Sequence, residues 1–165
     1  MIVISDASPI LNLSAVGKLD ILPRLFTSVI IPQAVFEEIA LSGKGKPGAA
    51  ELAGVPPWAE VLPCHNSDLF KELSMKLDRG EAEAIALAVE SKADLLLIDE
   101  KRGRATARSY QIRVTGLLGV LLQAKRKGIL SEIKSTLDEM RLKANFRVSD
   151  KMYEQILSVA GELNG

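Results

Sequence analysis

Hydrophobic positions along the chain gather into short apolar runs, beginning with the first four residues of MIVISDASPI, separated by longer stretches whose apolar residues recur at helical spacing. Met1–Ile4, Val29–Ile31, Glu60–Leu62, Leu95–Ile98 and Ile112–Val114 read as strands, short and apolar enough for a sheet buried on both faces. Between them, Ser8 as N-cap with Pro9 at the first helical position opens a helix that Gly17 closes, and Lys18–Phe26 forms a second, short one. Pro32 opens QAVFEEIAL, which ends at Ser42 and Gly43, and Ala49–Ala53, Ser67–Leu77, Gly80–Ser91, Gly103–Tyr110 and Gly116–Lys127 follow as helices. Ser131 and Ser149 stand where the last two helices need caps. Strands alternating with helices predict a three-layer α/β/α fold with a central parallel sheet of about four to five strands. The length of 165 residues predicts one domain over residues 1–165.

Composition removes several kinds of chemistry. One cysteine, Cys64, excludes an internal disulfide, and one histidine, the adjacent His65, excludes a Cys/His zinc site within one chain. The pair sits in a loop without an orienting acid, a poor setting for a nucleophile and its base. A reducing cytoplasm fits this cysteine usage. No basic segment precedes the first apolar run, and Ser5 and Asp6 break that run, so neither a signal peptide nor a membrane span is expected there. The 21 basic and 21 acidic residues balance, so nucleic-acid binding has to be sought in local clusters. One such cluster is Lys101, Arg102, Arg104 and Arg108; another, Lys125–Lys127, complements a helix carboxyl end. The GKGKPG stretch at 43–48 lacks the spacing of a phosphate loop and reads as a flexible surface loop.

The acids are more informative. Asp6 follows the first apolar run directly, and Asp99 follows Leu95–Ile98 in the same way. In a parallel α/β sheet the functional crevice lies outside the carboxyl ends of the strands, where both acids are delivered. Helix angles add a third. At about 100° per residue from Glu81, Ile85 falls near 40° and Ala88 near 340°, while Glu83 and Glu90 fall near 200° and 180°. Glu81 therefore lies within the apolar face and needs a partner such as a metal ion, whereas Glu83 and Glu90 are expected on the solvated side. In QAVFEEIAL, Glu37 and Glu38 flank the apolar arc symmetrically, and geometry does not choose between them.

The ordered motifs VISDASP, IPQAVFEEI, DRGEAEAIALA, LLLIDEKRGR and VTGLLGVLLQAKRKG resemble the PIN-domain family, and within it the small prokaryotic PIN proteins that serve as toxins of toxin–antitoxin pairs. The resemblance runs from residue 1 to about residue 160. It implies a parallel sheet between helices and an acidic cluster that binds magnesium or manganese and cuts RNA. Asp6, Glu38, Glu81 and Asp99 match the family's acids as catalytic and metal-binding residues, which selects Glu38 over Glu37. It further implies a homodimer and a nearby antitoxin protein. The chain departs from many toxin members in having Leu97 two residues before the last Asp and Glu rather than Asp at position 81.

Four carboxylates that meet suit a hard cation, because magnesium and manganese prefer carboxylate and water oxygens. Without one, each pair at about 5 Å would repel by roughly 3 kcal/mol at an effective dielectric near 20. Ser8 is placed to orient a metal-bound water or to cap its helix, and Arg102 and Arg104 to hold substrate phosphates. A phosphatase using two Asp residues spaced by one is excluded because Ser8 stands at the second position. A receiver module is excluded because only Asp6 follows the first strand. A PIN module that binds RNA or a protein partner with little turnover is the alternative reading.

Overall fold

The computed structural model describes residues 1–144 and 146–163. Five strands, β1 (Val3–Ser5), β2 (Val29–Pro32), β3 (Ala59–Leu62), β4 (Leu95–Leu97) and β5 (Val114–Thr115), form one parallel sheet in the order β3-β2-β1-β4-β5. Period-two alternation sends Val3, Val29, Ile31, Leu95 and Leu97 into one core and Ile4, Leu96 and Ile98 into the other. Both faces are covered, as the continuous apolar runs require.

The first core is closed by α1 (Ala7–Ala15), α2 (Ile21–Phe26), α8 (Leu117–Arg126), α9 (Lys134–Lys143) and α10 (Asp150–Val159), together with Val35, Ile39 and Leu52 from the segment after β2. That segment consists of α3 (Gln33–Phe36), a π-helical turn at Glu37–Ser42, and α4 (Ala49–Ala53). The second core is closed by α5 (Ser67–Ser74), α6 (Arg79–Ser91) and α7 (Lys101–Ser109). These layers are the expected α/β/α arrangement. Among the described residues, no helix is long and apolar enough to cross a membrane.

Two predicted caps are corrected. Helix α1 begins at Ala7, so Ser8 lies inside its first turn, where its hydroxyl is free for another partner. Helix α9 begins at Lys134, and the backbone N–H groups of Ile133 and Lys134 donate to the Glu162 carboxylate at 2.7 and 2.9 Å; Ser131 is too early to serve them. Ser149 does cap α10, accepting from Met152 N at 3.1 Å. The last strand falls at Val114–Thr115 rather than Ile112–Val114, because Thr115 O is the acceptor aligned with Ile98 N, at 2.9 Å.

Strand order locates the crevice. From β1 the chain builds outward through β2 to β3, then returns to place β4 on the other side of β1. Ligands bind at such a reversal, beyond the carboxyl ends of the two strands that flank it. Here these ends are Ser5 of β1 and Leu97 of β4, paired in register.

Candidate active site

Asp6 continues β1 by one residue, and its N–H donates to Leu97 O at 2.9 Å. The bond fixes its backbone beside β4, and the side chain is buried. Asp99 follows β4 in the matching place. Its Oδ1 accepts from Leu117 N at 2.7 Å at the start of α8, and its Oδ2 accepts from the Ser8 hydroxyl at 3.0 Å. Residue 116 must be small there, since a Cβ on Gly116 would lie 2.8 Å from Asp99 Oδ1.

Glu81 enters from the first turn of α6, a helix opened by Asp78, whose Oδ1 accepts from Glu81 N at 2.8 Å. The Glu81 carboxylate is buried against Gly103, where a Cβ would lie 2.7 Å from Oε2. Glu38 comes from the π-helical turn. Asp6, Glu38, Asp78 and Glu81 line one cavity of about 470 Å³. Asp99 lines an adjoining cleft of about 780 Å³, and Ser8, Asn12 and Glu100 line both.

The neighbouring glutamates are separated by their partners. Glu37 accepts from Gln33 Nε2 at 3.1 Å and pairs with Arg79 Nη1 at 2.9 Å, contacts that lower its pKa. Glu38 faces the cavity, where burial and the Asp78 charge raise its pKa. Glu83 is a correction: it is buried, and its Oε1 accepts from Ala34 N at 2.6 Å at the start of α3. Helix α6 is covered by α3, α5 and the sheet, so Gly80–Ala88 has no solvated side. Glu90 likewise is engaged, accepting from the backbone N–H groups of His65 and Asn66.

Of the two arginines, only Arg104 reaches the site, in the cleft beside Asp99. Arg102 does not: its Nη1 donates to Lys76 O at 3.1 Å, because two residues along a helix turn the side chain by about 200°. Two contributors were not foreseen. Asp78 was legible as an acid three residues before Glu81, a capping spacing that also places it beside the apolar face. Lys46 and Pro47 of GKGKPG line the acid cavity, a placement set by the tertiary path of the loop.

A family model described as a PIN domain matches residues 2–162. The chain belongs to the PIN-domain family. No curated protein matches it. PIN domains are generally nucleases and typically use divalent metals. The donor set of this PIN domain suits such an ion, being carboxylates without sulfur or imidazole. Burial raises the Asp6 carboxyl from 3.8 to about 7, with Asp78, Glu38 and Asp99 adding repulsion and the Ala7 N–H offsetting part. Burial likewise raises Glu81, together with a hydrogen bond and repulsion from Asp78. Among the described residues, none of these five carboxylates has an ion-pair partner. Nor do any three acidic, histidine or cysteine side chains among those residues converge tightly enough to hold one ion directly.

Proposed function

We propose that this PIN domain is a ribonuclease that hydrolyses RNA phosphodiester bonds with magnesium or manganese held by Asp6, Glu38, Glu81 and Asp99. The observation that carries this reading is the meeting of Asp6, Glu38, Asp78 and Glu81 in one cavity at the reversal of the sheet, with no cation paired to them among the described residues. A bound ion would supply an activated water and stabilise charge on the leaving oxygen. The chain's own groups position the rest. Ser8 holds Asp99 and stands where the two cavities meet, so its hydroxyl can also orient a water. Arg104 offers charge-assisted hydrogen bonds to a substrate phosphate beside Asp99. Arg102 drops out of the substrate contacts.

A role as the toxin of a toxin–antitoxin pair, as a cytoplasmic homodimer with an antitoxin partner, rests on the resemblance of the ordered motifs. Rescue of growth by a protein encoded in the adjacent reading frame tests it.

One observation favours a second reading, a PIN module that binds RNA or a protein partner without turnover: among the described residues, no three of the acids form a group that could hold a metal ion. Labelled RNA incubated with purified protein in magnesium, in manganese and in EDTA separates the two. Metal-dependent cutting that is lost in Asp6→Asn supports the nuclease. Binding without cutting supports the module.

A further inference from the structure

The cleft beside Asp99 carries a lining that the carboxylates do not use. Its walls come from Ser8, Asn12 and residues within 99–119 and 146–156; beyond the acids Asp99 and Glu100 at the edge shared with the acid cavity, they differ in chemistry. Lys101, Arg104 and Arg147 are cationic, while Leu118, Val148 and Met152 are apolar. Among the described residues Arg104 makes no ion pair, and its Nε is buried without a hydrogen-bond partner. Arg104 nevertheless lines the cleft and is only partly buried, so its unpaired guanidinium is open to an anion that enters there.

An isolated phosphate would use the cations and leave the apolar wall bare. A purely apolar ligand would leave Arg104 unsatisfied. A nucleotide offers an anion and a flat apolar ring together. Ser8, Asn12 and Glu100 line both cavities, so a strand seated in the cleft continues directly to the acids. We propose that the cleft is a nucleotide subsite, seating the residue next to the scissile phosphate with its phosphate on Arg104 and Arg147 and its base against Leu118 and Met152. The inference rests on the ribonuclease reading for which bond is cut, while the binding itself needs no turnover.

The test uses the full chain carrying Asp6→Asn, in magnesium, with a fluorescent unpaired oligoribonucleotide as probe. Adding Arg104→Gln or Met152→Glu should each weaken binding about tenfold or more, the second by putting a hydrated carboxylate where the neutral base would pack. Arg104→Gln and Arg147→Gln should each lower the slope of log affinity against log salt by about 0.7, the loss of one phosphate contact on a single strand. Met152 and Arg147 are exposed, so their variants should melt as the parent does, and melting curves, which also check that Arg104→Gln stays folded at the temperature of the binding assay, establish that. Unchanged binding in Arg104→Gln and Met152→Glu, with metal-dependent cleavage retained by the natural sequence, overturns the subsite and leaves the nuclease standing. Weakened binding in both, with no cleavage by the natural sequence, supports the subsite while the nuclease reading falls. A loss confined to the arginine variants indicates a bare phosphate contact and overturns the nucleotide assignment.

Discussion

Ser8 donates its hydroxyl to Oδ2 of Asp99 at 3.0 Å and accepts from Asn12 Nδ2 at 3.1 Å, so the first turns of α1 hold the acid that ends β4. Leu117 N–H holds the other oxygen. With both oxygens engaged, Asp99 is presented in one orientation. Ser8→Ala releases Oδ2 and leaves Asn12 without its acceptor. The expected cost is about 1 kcal/mol of stability. RNA cleavage should fall about tenfold, with a higher magnesium midpoint, as read by melting curves and a metal titration of activity. An unchanged midpoint would mean that the Leu117 N–H alone orients the acid.

The raised Asp6 carboxyl has a definite signature in pH. The unfolded chain ionises this group near its ordinary value of 3.8, the folded protein only at about 7. Between those values the folded state holds the extra proton, so in EDTA stability is highest at the acid end and falls as pH rises from about 4 to about 7. Glu81, also raised, contributes with the same sign. Asp6→Asn should make the decline shallower and melt above the natural protein at pH 8 without metal. It should also lose RNA cleavage, because the amide cannot supply the charge that holds a cation. Lower melting of the variant at pH 8 in EDTA would show that the ionised carboxylate supports the fold.

Asp6 and Asp99 are legible in the sequence because a short apolar run followed by an acid specifies both a buried strand and what stands at its end. Their adjacency is a matter of strand order, which the runs do not encode. Glu83 misled because a helical period assumes one buried face, and Gly80–Ala88 of α6 is enclosed on all sides. Glu37 and Glu38 are symmetric about the apolar arc; the difference appears only when Arg79 and Gln33 take Glu37 and the cavity takes Glu38. Arg102 depends on a long-range contact with Lys76 O that the sequence does not encode; GKGKPG is the exposed loop expected, and only its tertiary path brings Lys46 and Pro47 to the acid cavity.

The glutamates therefore divide into two functional classes. Glu38→Gln and Glu81→Gln should cut activity about a hundredfold or more and shrink the thermal shift produced by magnesium, since that shift measures binding to the folded state. Glu37→Gln should do neither. Glu83→Ala is expected to cost about 1 to 3 kcal/mol by leaving Ala34 N–H buried without an acceptor, while the magnesium-induced shift stays as it was. An inactive Glu37→Gln beside an active Glu38→Gln would move the site to the other face of the π-helical turn.

Asp78 has two jobs that substitution can separate. It caps α6 through Glu81 N, and it adds a charge to the acid cavity. Asp78→Asn keeps an oxygen for the cap and removes the charge, so the fold should hold while the magnesium midpoint rises. Asp78→Ala removes both, and should lose about a further 1 kcal/mol, the usual worth of an N-cap. Equal metal midpoints in Asp78→Asn and the natural protein would confine Asp78 to the cap.

Gly103 tests whether the position of Glu81, and not merely its charge, matters. An added Cβ would stand 2.7 Å from Glu81 Oε2 and 2.7 Å from Ile98 Cδ1, closer than packed atoms tolerate. Gly103→Ala gains helix propensity, at most about 1 kcal/mol, against an overpacking cost of typically 1 to 3 kcal/mol. The clash with Glu81 has a cheap outlet, because a carboxylate can swing; the clash with Ile98, fully buried in the core, is what the overpacking cost reflects. The expected result is a modest loss of stability with a large loss of metal-dependent cleavage, through displacement of Glu81. Gly103→Ala should also reduce the magnesium-induced thermal shift nearly as much as Glu81→Gln does, and the double variant should be no worse than Glu81→Gln alone. Additive losses in the double variant would show that Gly103 acts through Ile98 and the core instead.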